Sequence, residues 1–246
     1  MLLQHVIDII ESVAPLSYQE DWDNSGLQVG KTSASVEAAL LTIDVTESVV
    51  DEAVSRGCNL IISHHPLLFR GIKSVCGCTP VERIVEKAIR HNIAIYSSHT
   101  SMDSAPAGVS ARMAEEIGIT GCRILVGTDH GLGVIGTYDG TFEALLARVK
   151  EAFQAPMLRY IPMTAVRSCT GSADGLKVAL CGGAGAEFID EAVAQGADVY
   201  ISADMKYHEM QAAEGRIALI DLDHWHSEQY SREIFAELLD GKVKTY

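Results

Sequence analysis

The sequence has no long apolar run and few basic residues, and each absence argues against a class of function. No stretch of about 18 apolar residues occurs, so we expect no membrane-spanning helix. The 246 residues include 19 Lys and Arg against 33 Asp and Glu, which gives a formal net charge of −14. Binding to DNA, RNA or an anionic membrane needs a basic surface, so we expect no such partner. A small anionic substrate is still compatible with this charge, because the local field of a site can differ from the net field.

Two further absences concern the N-terminus and the cysteines. Residues 1–15 are rich in apolar side chains, but they include Asp8 and Glu11 and lack a basic leading segment. This pattern favours an amphipathic helix over a signal peptide. The six cysteines form no C-x-x-C motif, and we interpret the one close pair, Cys76-Gly-Cys78, as a turn. We therefore expect a cytoplasmic protein with reduced thiols.

Familiar catalytic motifs are also missing. The segment Gly182-Gly183-Ala184-Gly185 lies between a predicted strand and a predicted helix, where a phosphate-binding turn is often found. Phe188 takes the place of the third glycine of G-x-G-x-x-G, no Lys-Ser/Thr pair follows, and no Ser-His-Asp set is defined by spacing. We interpret the segment as a tight β–α turn. A nucleotide-binding regulator that uses this turn without chemistry is a minor alternative.

A regular alternation of strand and helix patterns runs through the chain. The predicted strands are the run before His64 and residues 38–44, 92–97, 132–138, 176–181, 198–202 and 217–222. The predicted helices are residues 1–13, 46–56, 79–91, 107–117, 142–153, 186–195, 207–213 and 227–239. Thr46 and Thr79 are expected to cap their helices, with Pro80 in the first helical position. The alternation predicts an α/β fold with substantially parallel sheets.

The chain also contains an internal repeat. Residues 51–63 align without gaps on residues 190–202, with seven of thirteen positions identical. A second match, between residues 92–103 and 216–228, follows in the same order. The repeat predicts two related α/β lobes. We place the first lobe in residues 1–125 together with 222–246, and the second in residues 126–221.

The adjacent pair His64-His65 ends a short apolar run and precedes Pro66. The run is typical of a strand buried on both faces, and such strands end where α/β proteins bind ligands. Pro66 favours extended or turn geometry at His65, so the pair is expected where the strand breaks. Two imidazoles there can face one cavity or hold two ions side by side. Taken alone, the pair is more typical of one packed and one solvated histidine.

Polar clusters follow four of the predicted strands. They are His64-His65, His99 to Asp103, Asp204 to His208, and His224 to Glu228. A histidine and a carboxylate four residues apart share one face of a helical turn and can reach one ion. Such ligands, without thiolates, suit Zn, Mn, Fe, Co or Ni, and a carboxylate can bridge two ions as in two-metal hydrolases. We predict a metal site at the strand carboxyl ends, in the cleft between the two lobes.

Five motifs, in order along nearly the whole chain, resemble the dinuclear-metal-centre family known as GTP cyclohydrolase 1 type 2 homologues. They occupy residues 21–27, 62–67, 98–103, 203–209 and 224–228. The resemblance implies that His64 and Asp103 hold one ion, that His65 and His224 hold the other, and that Glu228 bridges both. It also implies a toroidal homohexamer whose first lobe is completed by the C-terminal segment. Asp223 departs from the family pattern, which has glycine before the ligand histidine.

These observations lead to one functional hypothesis and one main rival. We predict two divalent ions per chain and a metal-dependent hydrolase that acts on a small, nucleotide-like substrate through a metal-activated water. His99 or His208 would serve as general acid or base if it faces the cavity. A GTP cyclohydrolase reaction, with attack at the purine C8 carbon, is implied by the family name only. The rival is a non-enzymatic metal-binding or regulatory scaffold, since no substrate-specificity motif is evident.

Overall fold

A computed structural model describes residues 1–163 and 175–246 and contains two compact units. Unit 1 comprises Met1–Ala105 and Ser231–Tyr246, and unit 2 comprises Pro106–Tyr230. The lobes inferred from the sequence repeat, with limits near residues 125 and 221, stay a prediction. Within the described ranges, no helix has the length and apolar character that crossing a membrane requires.

Unit 1 is built on a five-stranded sheet. Its strands are β1 (Gly26–Val29), β2 (Ala38–Thr42), β3 (Leu60–Ser63), β4 (Ala94–Ser97) and β11 (Lys244–Thr245). Its helices are α1 (Leu3–Glu11), α2 (Glu47–Arg56), α3 (Pro80–Arg90), α4 (Thr100–Asp103) and α10 (Ser231–Leu239), with a 3-10 helix at Leu16–Tyr18. The sheet order is β1-β4-β3-β2-β11, and only the β1–β4 pair is antiparallel.

Unit 2 contains a six-stranded mixed sheet. Its strands are β5 (Thr120–Gly127), β6 (Gly131–Tyr138), β7 (Arg159–Ile161), β8 (Leu176–Ala184), β9 (Val199–Ala203) and β10 (Ala218–Asp221). Its helices are α5 (Val109–Ile117), α6 (Phe142–Ala152), α7 (Ile189–Ala194), α8 (Tyr207–Ala213) and α9 (His224–Glu228), with a 3-10 helix at Ala186–Phe188. The order is β5-β6-β8-β9-β10-β7, with β8, β9 and β10 parallel. The predicted α/β class, with substantially parallel sheets, is confirmed.

Local sequence signals account for the elements around the parallel strands. The Thr46 hydroxyl accepts a hydrogen bond from the backbone N–H of Val49 at 3.2 Å, and the Thr79 hydroxyl accepts one from Glu82 at 3.2 Å. Both threonines are therefore the predicted helix caps, and Pro80 follows Thr79 at the start of α3. All residues of β3 and β4 are buried, as expected for strands that are covered on both faces of a sheet.

The sequence repeat is also a structural repeat. In both copies a helix ends at a glycine with a left-handed backbone, Gly57 at φ 69° and Gly196 at φ 75°. The residue after each glycine donates its N–H to the carbonyl five residues earlier, at 2.8 Å and 2.9 Å. These bonds terminate the helix in the same way in both units and lead into β3 and β9.

The strand registers repeat as well. Leu60 pairs with Ala94 in unit 1, and Val199 pairs with Ala218 in unit 2. Beyond the strands, the structural equivalence of the two polar clusters differs by one residue from the sequence alignment, which matched His99 with His224. His99 and Asp223 each lie two residues after their strand and immediately before a short helix, so His99 is equivalent to Asp223 and not to His224.

The elements that the sequence patterns missed are short or half-exposed. β1, β5, β7 and β11 were not predicted, because such strands lack a continuous buried run. The helix predicted at 227–239 is two helices, α9 and α10, that break at residues 229–230. The core strands, with their continuous apolar runs, lie close to where the sequence places them.

We expect Gly57→Ala and Gly196→Ala to lower the free energy of unfolding by about 1 kcal/mol each, because a left-handed backbone disfavours a Cβ atom. Sterics add nothing at either site: a Cβ at Gly57 would have no neighbour within 4 Å, and one at Gly196 would meet only Lys177 Nζ at 3.9 Å. Gly71→Ala is the control, since Gly71 has open space without a positive φ. Urea unfolding measures all three, and a cost at Gly71 as large as at the other two would contradict the explanation.

Candidate metal centre

Three histidines of unit 1 lie together at one edge of its sheet. His64 and His65 follow β3 and His99 follows β4, and these neighbouring strands are parallel, so they end at the same edge. The ring centroids of His64 and His65 are 5.1 Å apart, and His99 lies 5.4 Å from each. One ring nitrogen from each residue lies within 4.8 Å of the others. The cluster can therefore hold a metal ion.

The end of strand β3 allows neighbouring histidines to converge. The backbone N–H groups of His64 and His65 donate to the carbonyls of Thr42 and Ile43, at 3.1 Å and 2.9 Å. The Ser63 hydroxyl donates to the His65 carbonyl at 2.8 Å and fixes the turn. A regular strand would direct the two side chains to opposite faces. The structure confirms the predicted end of the strand before Pro66.

Two aspartates orient two of these imidazoles. His65 Nδ1 lies 2.8 Å from Asp44 Oδ1, and His99 Nδ1 lies 2.8 Å from Asp23 Oδ1. Because a carboxylate can only accept, each Nδ1 donates, and the lone pair of a neutral ring is then on Nε2. Histidines that bind metals are typically held in this way. The sequence patterns assigned no role to Asp23 or Asp44, although Asp23 lies in the first motif of the resemblance and Asp44 ends a predicted strand.

Asp23 is held firmly in its ionised form. Its side chain is wholly buried, and it accepts hydrogen bonds from the Thr100 hydroxyl at 2.6 Å, the Thr100 N–H at 3.1 Å and the Ser25 hydroxyl at 2.9 Å. Burial alone would raise the pKa of Asp23, but the hydrogen bonds from His99 and Thr100 outweigh it and hold that pKa below its usual range. Asp23 therefore keeps a fixed negative charge behind His99.

His64 faces Asp103 inside unit 1. The ring is fully buried, its Nδ1 lies 3.1 Å from the Ser98 carbonyl, and its Nε2 lies 3.6 Å from Asp103 Oδ1. Since the carbonyl can only accept, Nδ1 donates and Nε2 presents its lone pair towards a carboxylate oxygen. Two ligands of one ion with bonds of about 2.1 Å are about 3.0–3.4 Å apart. The observed 3.6 Å is slightly longer, so His64 and Asp103 can share a cation if the two side chains approach each other by a few tenths of an ångström.

In unit 2, helix α9 carries His224 and Glu228 on one face. His224 Nε2 lies 3.2 Å from Glu228 Oε2, and His224 Nδ1 lies 2.8 Å from Asp204 Oδ2. The hydrogen bond to Glu228 raises the pKa of His224 to about 9, with Asp204 adding to the effect and burial opposing it. Two carboxylates thus flank one imidazole. Their negative charge favours either a proton on the imidazole or a metal ion beside it. The predicted spacing of four residues gives the expected contact.

Gly183 makes room for the Glu228 carboxylate. A Cβ atom at Gly183 would lie 2.3 Å from Glu228 Oε1, and Gly183 has φ 67°. Its N–H donates to the Ser227 hydroxyl at 2.9 Å, and its carbonyl accepts from the Ser202 hydroxyl at 2.9 Å. The segment Gly182 to Gly185 was interpreted as a tight β–α turn, but its first three residues belong to β8, which extends to Ala184. At Gly183, the lack of a Cβ atom lets the carboxylate of Glu228, a ligand candidate, lie close to the backbone.

Asp223 adopts a conformation that suits glycine. Its φ is 74° and its ψ is 136°, a backbone region that costs other residues about 1–3 kcal/mol. This accounts physically for the glycine that the resembled family has here. The Asp223 carboxylate accepts from the His226 N–H at 3.3 Å and from His226 Nδ1 at 2.9 Å. The hydrogen bond from His226 is the main cause of the lowered pKa of Asp223.

The predicted site residues thus fall into two sets, one in each unit. Unit 1 brings together His64, His65, His99 and Asp103, and unit 2 brings together His224 and Glu228. His208, the other predicted acid–base residue, is exposed on α8 with its Nδ1 3.5 Å from Gln211 Oε1. Its predicted catalytic role stays a prediction.

We expect Gly183→Ala to weaken metal binding by on the order of 10–100-fold, because the new methyl group displaces Glu228. Gly196→Ala is the matched control, since its φ of 75° carries a similar backbone cost without a contact near a ligand. Metal affinity by chelator competition measures the effect. Equal affinities in the two variants would contradict the proposed role of Gly183.

The metal-free protein should lose stability as the pH rises from about 6.5 to about 9. The pKa of His224 in the folded chain, about 9, is above its ordinary value of 6.5, so the stabilisation is complete below pH 6.5 and is lost through pH 9. Thermal melting of EDTA-treated protein across this range measures it. His224→Gln should remove this component, and an unchanged pH profile in that variant would refute it.

Comparisons with known proteins agree with the resemblance. The chain matches the family Duf34/NIF3 (NGG1p interacting factor 3) over residues 1–246. A Clostridium acetobutylicum protein named GTP cyclohydrolase 1 type 2 homolog is 34% identical over 251 residues, covering 98% of this chain and 90% of that protein. The crystal structure of Staphylococcus aureus hypothetical protein SA1388 has a TM-score of 0.86 at 25% identity, covering 100% of this chain and 95% of that chain. Reduced HcgD from Methanocaldococcus jannaschii has a TM-score of 0.85 at 26% identity, covering 100% and 96%. The chain belongs to the Duf34/NIF3 family.

Proposed function

We propose that this protein binds two divalent metal ions and uses them to hydrolyse a small molecule. The observation that carries the proposal is the orientation of the histidines: His64, His65, His99 and His224 each have Nδ1 against a carbonyl or carboxylate oxygen. When such a ring is in its neutral form, Nε2 is its electron-pair donor. Packed or solvated histidines need no such common pattern, whereas metal ligands show it regularly.

The ligand assignment follows the family resemblance. In that assignment His64 and Asp103 would hold one ion, His65 and His224 would hold the other, and Glu228 would serve both. The distance from His64 to Asp103 supports the first pair, and the distance from His224 to Glu228 supports the second ion and its bridge. The ligand set contains nitrogen and oxygen without thiolate, which suits Zn, Fe, Mn, Co or Ni.

In this proposal, some residues bind the ions, others position the ligands, and others transfer protons. Two ions held by these residues would supply a water of lowered pKa, and therefore hydroxide near neutral pH. Asp44 and Asp204 hold His65 and His224 in position, and Gly183 leaves space for Glu228. The predicted acid–base groups are His99 and His208, of which only His99 is seen among the ligand candidates of its own unit.

A cavity beside His65 supports a small-molecule substrate. It has a volume of about 490 Å³, which is within the range of small-ligand sites, and it lies within unit 1. Asp44 and His65 form one side of it, and Glu47 and Arg83 form an ion pair at 2.9 Å on its lining. The nucleotide-like character of the substrate rests only on the name of relatives such as the Clostridium protein.

A regulatory scaffold is the second candidate, and one feature of the surface favours it. Trp22 and Phe69 are 58% and 45% exposed, with ring centroids 6.0 Å apart. Both contact the His99 ring edge-on, at 6.0 Å and 6.3 Å. Exposed aromatic residues are enriched in protein interfaces. A self-association into the homohexamer implied by the resemblance is part of this proposal, and light scattering would measure the mass of the assembly.

We expect His65→Ala and Glu228→Gln to abolish hydrolysis and to reduce the bound metal, without unfolding the protein. His91→Ala is the control, because His91 is an exposed residue after α3. Elemental analysis gives ions per chain, and product release from GTP and related nucleotides gives turnover. Normal turnover in His65→Ala would refute the hydrolase proposal. Full metal loading without turnover of any nucleotide would favour the scaffold.

A further inference from the structure

We infer that Cys76 and Cys78 form a thiol–disulfide exchange site, at which the two thiols reduce a small organic disulfide and become an intramolecular disulfide themselves. In the sequence the pair indicates a turn, and in the structure both cysteines of that turn are exposed. Neither metal binding nor hydrolysis is needed for this chemistry, so it stands or falls separately from the proposed function.

A single carboxylate holds the backbone of both cysteines. The N–H groups of Cys76 and Cys78 donate to Glu82 Oε2, each at 3.0 Å, and the Ser74 hydroxyl donates to Glu82 Oε1 at 3.4 Å. The hydrogen bond from Cys76, together with that from Cys78, lowers the pKa of Glu82, so this carboxylate stays charged. Backbone N–H groups gathered around one anion form a nest, an arrangement that fixes a tight turn.

The turn brings the two sulfur atoms within reach of each other. Gly77, between the cysteines, has φ 74°, a left-handed conformation that glycine adopts readily. With Cα–Cα steps of about 3.8 Å, the first and third Cα atoms of such a turn are about 5.5 Å apart, within the range of about 4.4–6.8 Å that disulfides span. Cys78 Sγ already lies 4.0 Å from the carbonyl oxygen of Cys76. Rotation of the two side chains is then enough to join the sulfur atoms.

The other cysteines that the structure describes suit this chemistry less well, because the thiolate is the reacting form of the side chain. Cys58 and Cys181 are buried, and burial raises the pKa of the Cys58 thiol. Burial also raises the pKa of the Cys122 thiol. Among the described thiols, the pair in the turn combines exposure with a second thiol two residues away.

The exchange takes place in two steps that conserve atoms and electrons. One cysteine loses its proton and attacks a sulfur of the organic disulfide, which forms a mixed disulfide and releases one organic thiolate. The second cysteine loses its proton and attacks the cysteine sulfur of the mixed disulfide, which releases the other organic thiolate. The protein gives up two electrons and two protons, and the organic disulfide becomes two thiols. A disulfide in so short and exposed a loop is labile, so an excess of thiol reverses the exchange.

The test follows the two thiols in the full-length, EDTA-treated protein after incubation with oxidised glutathione and alkylation of the free thiols. Trypsin cleaves after Lys73 and Arg83 and releases residues 74–83, which contain both cysteines of the site and no other. We expect mass spectrometry to find this peptide lighter by two hydrogen atoms, without alkyl label and without glutathione. Reduced glutathione should restore both thiols. In Cys76→Ser and Cys78→Ser, the remaining cysteine should instead carry glutathione.

A comparison with the unfolded chain separates the effect of the folded turn from that of proximity in sequence. At a fixed ratio of reduced to oxidised glutathione, we expect the ratio of disulfide to dithiol to be about 10-fold higher in the folded protein than in urea. Glu82→Ala should reduce this difference, because the cysteine N–H groups lose their shared acceptor. Circular dichroism checks folding, and Gly77→Ala, with Gly71→Ala as control, replaces Glu82→Ala if the latter does not fold.

Several results would overturn the inference. They are alkyl label on both cysteines of the oxidised wild-type peptide, glutathione on both, and a disulfide-linked dimer on a non-reducing gel. Equal ratios of disulfide to dithiol in the folded and unfolded chains would overturn it too, since the turn held by Glu82 would then contribute nothing to the exchange.

Discussion

The parallel pairing of β3 with β4 is the constraint on which the candidate metal site of unit 1 depends. The register places Ser63 beside Ser97, so the two strands stop side by side. The residues after both strands are therefore delivered to the same edge of the sheet, and the histidines after Ser63 meet the histidine after Ser97. The Ser63 and Ser97 hydroxyls are 2.8 Å apart and join the strand ends below the cluster. A shift of one residue in this register would direct the side chains of one strand to the opposite faces.

The two units show how one scaffold carries different chemistry. Helix, left-handed glycine, strand and parallel neighbour recur in the same register, but the residues beyond the strands differ. The end of β3 carries His64-His65, and the equivalent end of β9 carries Ala203-Asp204. Neither the strand end nor its pairing thus requires a histidine pair. The histidines are better explained by ligand binding than by folding.

Unit 2 has three residues with a positive φ around its ligand candidates. Asp204 and Asp223 both have positive φ, at 55° and 74°, and Gly183 is at 67°. Asp204 holds His224, Asp223 caps the helix on which His224 lies, and Gly183 accommodates Glu228. Strain of this kind persists only where the surrounding structure compensates for it, and it is concentrated at functional sites.

The sequence alone determined the buried strands, the threonine caps of α2 and α3, the internal repeat and the polar clusters that contain the candidate ligands, because each is visible in the order of residues along the chain. Only the tertiary structure decided which side chains orient those ligands. Asp23 is 76 positions from His99 and Asp44 is 21 from His65, and no spacing rule links residues so far apart. The same holds for the need for glycine at 183, which arises from a carboxylate 45 positions further along the chain. Hydrogen bonds and close approaches between distant segments depend on the strand pairing, and the short edge strands β1, β7 and β11 obtain their conformation from that pairing too.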